Sequence, residues 1–111
     1  MRDELRVDFR VEGRLVQTRL NRVVSADGGK VVQVQPKIMD VLVRLAERPG
    51  EVVTREELFS TVWAGTHVTE HVLARAISEL RKVFDDSAQK PRVIETIPKV
   101  GYRLIASVTA A

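Results

Sequence analysis

The chain has 111 residues, 44% of them hydrophobic and 30% charged, with a formal net charge of +3 and no cysteine. That length suits one compact unit around one core, and the lack of cysteine excludes both a disulfide framework and a thiolate zinc site. Apolar runs far below the ~20 residues that span a bilayer, and a start at residues 1–6 without the apolar core of a signal peptide, point to a cytoplasmic protein that is neither transmembrane nor secreted.

Residues 6–35 pattern as an N-terminal antiparallel sheet of three or four strands. Val7, Phe9 and Val11 alternate with charged neighbours, Glu12-Gly13 is a turn signal, and residues 15–20 and 31–34 read as further strands. Asp27-Gly28-Gly29 marks a tight turn between two of them, and the polar alternation implies one solvated face.

Residues 36–84 read as three helices. Pro36 opens the first where its missing N–H costs nothing, and Ile38, Leu42 and Leu45 recur at helical spacing until Pro49-Gly50. Thr54-Arg55-Glu56-Glu57 is a capping box that starts the second, whose apolar stripe is Leu58, Val62 and Trp63. Ala64-Gly65-Thr66 interrupts the pattern. Thr69 is the expected N-cap of a third helix, Glu70 is favourably placed against its dipole, and Leu73, Ile77, Leu80 and Phe84 mark its buried side.

A polar loop follows over residues 85–91, then a hairpin within residues 92–106. Its strands are expected at 93–97 and 102–105, with Gly101 supplying unusual dihedrals at the turn, and Thr109-Ala110-Ala111 reads as a fraying tail. Strands, three helices and a hairpin in this order make an α+β winged helix-turn-helix, taken as one domain over residues 1–111.

On the third helix His71, Ala74, Arg75, Ser78, Glu79 and Lys82 lie away from the apolar stripe, because residues three and four apart share a face. Between Arg75 and Arg103 seven cations stand against four anions, so the local balance is positive. Such a helix can pack on a domain while its outer side enters a major groove about 12 Å wide, with the hairpin reaching the flanking backbone. Arg75 is the best candidate for guanine readout through its bidentate fork; Ser78 and Glu79 could address other base edges. The plain alternative is a solvated face carrying an Arg75–Glu79 pair that contributes only ~0.3–0.5 kcal/mol.

Three blocks carry a resemblance: Val53-Thr54-Arg55-Glu56-Glu57-Leu58 with Val62-Trp63, then Ile77-Ser78-Glu79-Leu80-Arg81-Lys82, then Ile94-Glu95-Thr96-Ile97-Pro98-Lys99-Val100-Gly101-Tyr102-Arg103-Leu104. Over nearly its whole length the chain resembles the OmpR/PhoB-type winged-helix DNA-binding domain of bacterial transcriptional regulators. The wording of the last turn is similar to the CadC/ToxR-like branch, whose members are often membrane-anchored. The resemblance implies double-stranded DNA as partner, phosphate contacts from Arg55, Arg81 and the Trp63 indole N–H, and wing contacts from Lys99 and Arg103. Pro98 stands where response regulators of the family often carry Arg, and Glu79 departs from the family's more basic helices. Tandem docking of two copies on direct repeats is also implied, as is a sensory or membrane-anchored portion elsewhere in a longer chain. No cofactor, small-molecule substrate or catalysis is expected.

Two other readings compete. His67-Val68-Thr69-Glu70-His71 fits the H-x-x-E-H pattern of inverted zinc proteases, although a cap at Thr69 would leave His67 in the preceding loop, off the helical face that the ligands must share. A winged helix can also serve protein contacts without DNA.

Overall fold

A computed structural model describes residues 7–111; the expected start of the sheet at Arg6 and the stretch 1–6 lie outside the described residues. Four short strands, β1 Phe9–Val11, β2 Arg14–Gln17, β3 Arg22–Val24 and β4 Val31–Gln33, form an antiparallel meander. Three helices follow, α1 Pro36–Ala46, α2 Arg55–Val62 and α3 Glu70–Val83, with a two-residue strand β5 Val53–Thr54 leading into α2. The chain ends in β6 Ile94–Ile97, β7 Gly101–Leu104 and β8 Val108–Ala110.

Local chemistry accounts for the helices. Pro36 occupies the first turn of α1. The capping box at α2 is complete: the Glu57 N–H donates to Thr54 Oγ1 at 3.1 Å while the Thr54 N–H donates back to Glu57 Oε1. Thr69 takes the N-cap position of α3, but its hydroxyl makes no capping bond. The Val72 N–H donates to the Thr69 carbonyl instead, at 3.1 Å.

Three expectations about the sheets need correcting. The strand expected over 15–20 stops at Gln17, because a 3-10 turn at Thr18–Leu20 ends in Asn21 with a left-handed φ of 53°. The supposed tail at Thr109-Ala110-Ala111 is instead largely β8, which pairs antiparallel with β1 in the register Phe9 with Ala110 and Val11 with Val108. A meander leaves the outer edge of its first strand with unpaired backbone groups, and β8 satisfies them. The resulting order is β4-β3-β2-β1-β8, while β5 joins the hairpin in a second sheet ordered β5-β7-β6.

The third correction concerns Gly101. Its φ is not in the left-handed region; Lys99, two residues earlier, holds the turn with a φ of 65°. Gly101 is required because β5 runs hard against it, with Thr54 paired opposite, so that a Cβ there would sit 2.1 Å from the Val53 carbonyl oxygen. The glycine permits close backbone approach, not an unusual dihedral.

One core joins these parts. Val11 and Val16 from the first sheet, Leu42 and Leu45 from α1, Leu58 from α2, Leu73, Ile77 and Leu80 from α3, and Ile94 and Leu104 from the hairpin are all sealed from solvent. Burying each such side chain contributes about 1.5–3 kcal/mol. Packing α1 against α3 turns the apolar stripe of α3 inward and leaves its opposite flank outermost.

Candidate nucleic-acid interface

The flank of α3 divides cleanly. Leu73, Ala76, Ile77 and Leu80 are buried, whereas His71, Ala74, Arg75, Ser78 and Lys82 are exposed and Glu79 is half-buried. Helical geometry puts His71, Arg75, Ser78 and Lys82 on the outermost line, with Ala74 and Arg81 toward the hairpin and Val72 and Glu79 toward α1. The Arg75–Glu79 pair of the plain alternative does not form. The Glu79 carboxylate accepts from Lys82 Nζ at 3.3 Å, three residues along the helix, and the Arg75 guanidinium has no partner among the described residues.

Each end of α3 is tied down. At its start Arg55 pairs with Glu70 through Nη1 and donates to the Lys99 carbonyl through Nη2 at 3.0 Å, so α2, α3 and the wing turn meet at one guanidinium. At its end two arginines converge on the Phe84 carbonyl, Arg14 Nη1 at 2.8 Å and Arg92 Nη2 at 2.6 Å. Cations suit that negative dipole end. Arg92 is also paired with Glu12 at the tip of the β1–β2 hairpin, and Arg14 with Asp85.

The loop after α3 is organised by Asp86. Its carboxylate accepts the backbone N–H groups of Arg92 at 2.7 Å, Val93 at 3.1 Å and Ile94 at 2.9 Å. Burial pushes its pKa up, but these bonds and one from the Ser87 backbone outweigh that and hold it below the ordinary carboxylate value.

Arg81, expected at phosphate, lies between α3 and the wing. Its Nη2 donates to the Ile94 carbonyl at 2.8 Å and to Thr96 Oγ1 at 2.9 Å. Arg103, on β7, pairs across the hairpin with Glu95 on β6. Lys99 projects from the turn and is exposed. Trp63 is buried at 7% exposure and its ring meets Phe59 with centroids 6.3 Å apart. The indole N–H has no partner among the described residues and is not one of the sealed unpaired atoms, which are Thr18 Oγ1, Arg44 Nε and Arg55 Nε.

The zinc alternative does not assemble. Among the described residues no three His, Asp or Glu side chains gather as a metal site, and Glu70 is engaged by Arg55 while His67 lies in the loop before α3. The sequence reading missed Arg14, Arg92 and Glu12, which are separated from their partners by up to 80 residues. No local pattern signals such pairs.

A helix packed by one stripe, uncovered on the other and braced by a hairpin defines a winged helix-turn-helix. The family profile described as "Transcriptional regulatory protein, C terminal" matches residues 29–104. The chain belongs to this family, that of the OmpR/PhoB-type effector domains of transcriptional regulators. It is 39% identical over 100 residues to the transcriptional activator CadC of Escherichia coli strain K12, covering 89% of this chain and 19% of that protein. It is 45% identical over 83 residues to the cholera toxin homolog transcriptional activator of Vibrio parahaemolyticus, covering 73% of this chain and 28% of that one. Among solved structures, the DNA-binding domain of E. coli CadC superposes with a TM-score of 0.82 at 36% identity, covering 96% of this chain and 98% of that one. The chain thus spans less than a third of the length of either full-length relative. No helix among the described residues is long and apolar enough to cross a membrane.

Proposed function

We propose that the chain binds double-stranded DNA sequence-specifically as the effector domain of a bacterial transcriptional regulator. The observation that carries this reading is the uncovered hydrophilic flank of α3, held beside a basic hairpin. In this reading α3 lies in the major groove with Arg75, Ser78, Glu79 and Lys82 toward base edges and His71 and Ala74 beside them. Arg75, the one arginine on that line, has both faces of its fork free for a guanine. Glu79 accepts from cytosine or restrains Lys82.

Arg55, Arg81 and the Trp63 N–H address phosphate, Lys99 borders the minor groove, and Arg103 steadies the strand behind it. Arg55 and Arg81 also hold the wing, so they set the docking angle as well as contributing charge. The whole chain acts as one winged-helix unit on the cytoplasmic side of the cell, within a longer protein whose other portion, membrane-anchored or not, supplies the signal. Few base contacts per copy favour two copies on direct repeats, where the first bound copy raises the effective concentration of the second.

Selection of bound sequences from a random duplex pool tests this directly. A G·C-containing half-site repeated in the same orientation is the expected outcome. Recovery of unbiased sequence, or binding that ignores salt, would count against DNA readout and favour a protein partner.

A further inference from the structure

A groove of ≈ 940 Å³ runs along α3 on the side away from the wing. The start of α1 and the edge strand β4 form its opposite wall, and Trp63 lines it as well. Four cations line it, Lys30, Lys37, Arg75 and Lys82, against the single anion Glu79, which Lys82 already neutralises.

Two of those cations stand outside α3. Lys30 closes the β3–β4 turn, which is fixed by the Ser25 N–H to the Lys30 carbonyl at 2.8 Å, by the Lys30 N–H to Ser25 Oγ at 3.0 Å, and by Asp27 accepting from Ser25 Oγ and the Gly29 N–H. Its ammonium is exposed and has no partner among the described residues. Lys37 is held by its Nζ donating to the Val62 carbonyl at 2.9 Å, at the C-terminal end of α2 and one residue before Trp63. Its ammonium therefore lies close to the Val62–Trp63 peptide, and both Lys37 and Trp63 line the groove.

A major groove is bounded by two phosphate strands. Arg81 and the wing turn serve one side of α3; the basic groove lies on the other. We propose that Lys30 and Lys37 grip the sugar-phosphate strand on the side of α3 opposite the wing, so that the helix is clamped between two backbones. This rests on the DNA reading above and adds two phosphate contacts to it. The occupant is argued from charge complementarity: a polyanion matches four cations whose only counter-charge is internally paired.

The test uses a duplex of random sequence at low salt together with the duplex recovered by selection. Equilibrium constants are measured against salt for the unaltered chain, Lys30→Ala, Lys30→Glu and the double variant Lys30→Ala/Lys37→Met. Each lost phosphate contact should reduce the slope of log K against log salt by about 0.9, so the double variant should lose about 1.8 on both duplexes alike, with base preference unchanged. Lys30→Glu should bind more weakly than Lys30→Ala. If the double variant has a lowered thermal midpoint, the Lys30 pair decides, since that side chain holds nothing in the fold. Unaltered slopes in folded variants would overturn this proposal alone, provided that Arg75→Ala still loses base preference; salt-insensitive binding by the unaltered chain would remove the DNA reading and this proposal together.

Discussion

The Arg81 guanidinium donates to the Ile94 carbonyl oxygen at 2.8 Å, joining α3 to the first strand of the hairpin. A second bond from the same Nη2 to Thr96 Oγ1 makes the joint directional. Reader and wing are therefore one body, and a residue expected only to touch phosphate also sets their angle.

Arg81 and Arg75 should consequently behave differently when removed. Arg81→Ala loses the side-chain hydrogen bonds to Ile94 and Thr96 and should cost about 1–2 kcal/mol of folding stability while weakening binding on every sequence. Arg75→Ala, with no internal partner to lose, should leave the thermal midpoint unchanged, cost about 1–3 kcal/mol on the selected site and relax one base position. Paired thermal melts and binding titrations read both effects. Loss of preference in Arg81→Ala with none in Arg75→Ala would reverse the two assignments.

Gly101→Ala should be severe although it adds one methyl group. The new Cβ would meet the Val53 carbonyl oxygen and the Thr54 Cα, both backbone atoms that cannot rotate away. Either β5 separates from β7 or the hairpin shifts, at a cost of about 1–3 kcal/mol or more. Urea unfolding gives the number; amide exchange should show the Val53–Tyr102 pairing opening first. A variant as stable as the parent would mean that the two strands lie farther apart than described.

Lys99→Gly should separate stability from binding. Lys99 holds a φ of 65°, which costs a residue with a Cβ about 1–2 kcal/mol relative to glycine, so part of that strain is relieved. Removing the ammonium at the wing tip should still weaken DNA binding. A higher midpoint with lower affinity, measured on the same preparation, is the expected pair of results. A lower midpoint would show that the turn does not need left-handed backbone there.

Acid should loosen the loop after α3 through Asp86. Its pKa is held below the unfolded carboxylate value of about 3.9, so its contribution is fully present above that value and is lost as pH falls through the lower folded one. Asp86→Asn should cost about 1–3 kcal/mol near neutral pH, with the gap to the parent closing below about pH 4. Urea midpoints at several pH values decide it. A gap that persists unchanged into strong acid would assign the loss to packing instead of charge.

What could be read from the chain beforehand divides by distance along it. The capping box at Thr54 and Glu57, Pro36 at the start of α1, and the stripe Leu73, Ile77, Leu80 are settled within four residues and were legible. So was the exposed line of α3, since it is the complement of that stripe. β8 was not, because Val108 to Ala110 matter only through β1, almost a hundred residues earlier. Gly101 was identified as special for the wrong reason, since a partner strand distant along the chain leaves no mark in its own neighbourhood. Nothing near Arg14, Arg92 or Lys37 in the sequence marks the carbonyls that the fold brings to them.

The two guanidiniums meeting at the Phe84 carbonyl, and the Arg55–Glu70 pair at the opposite end, leave α3 little freedom to roll or slide. With α3 held at both ends, its target would have to meet it halfway. Any misfit of shape then falls on the nucleic acid, whose curvature over a site of 20–30 base pairs costs of order 1–6 kcal/mol depending on its steps. Promoters would thus be sorted partly by how easily they flex at positions that no side chain reaches, and the mobility of circularly permuted duplexes bound to the protein would expose that sorting.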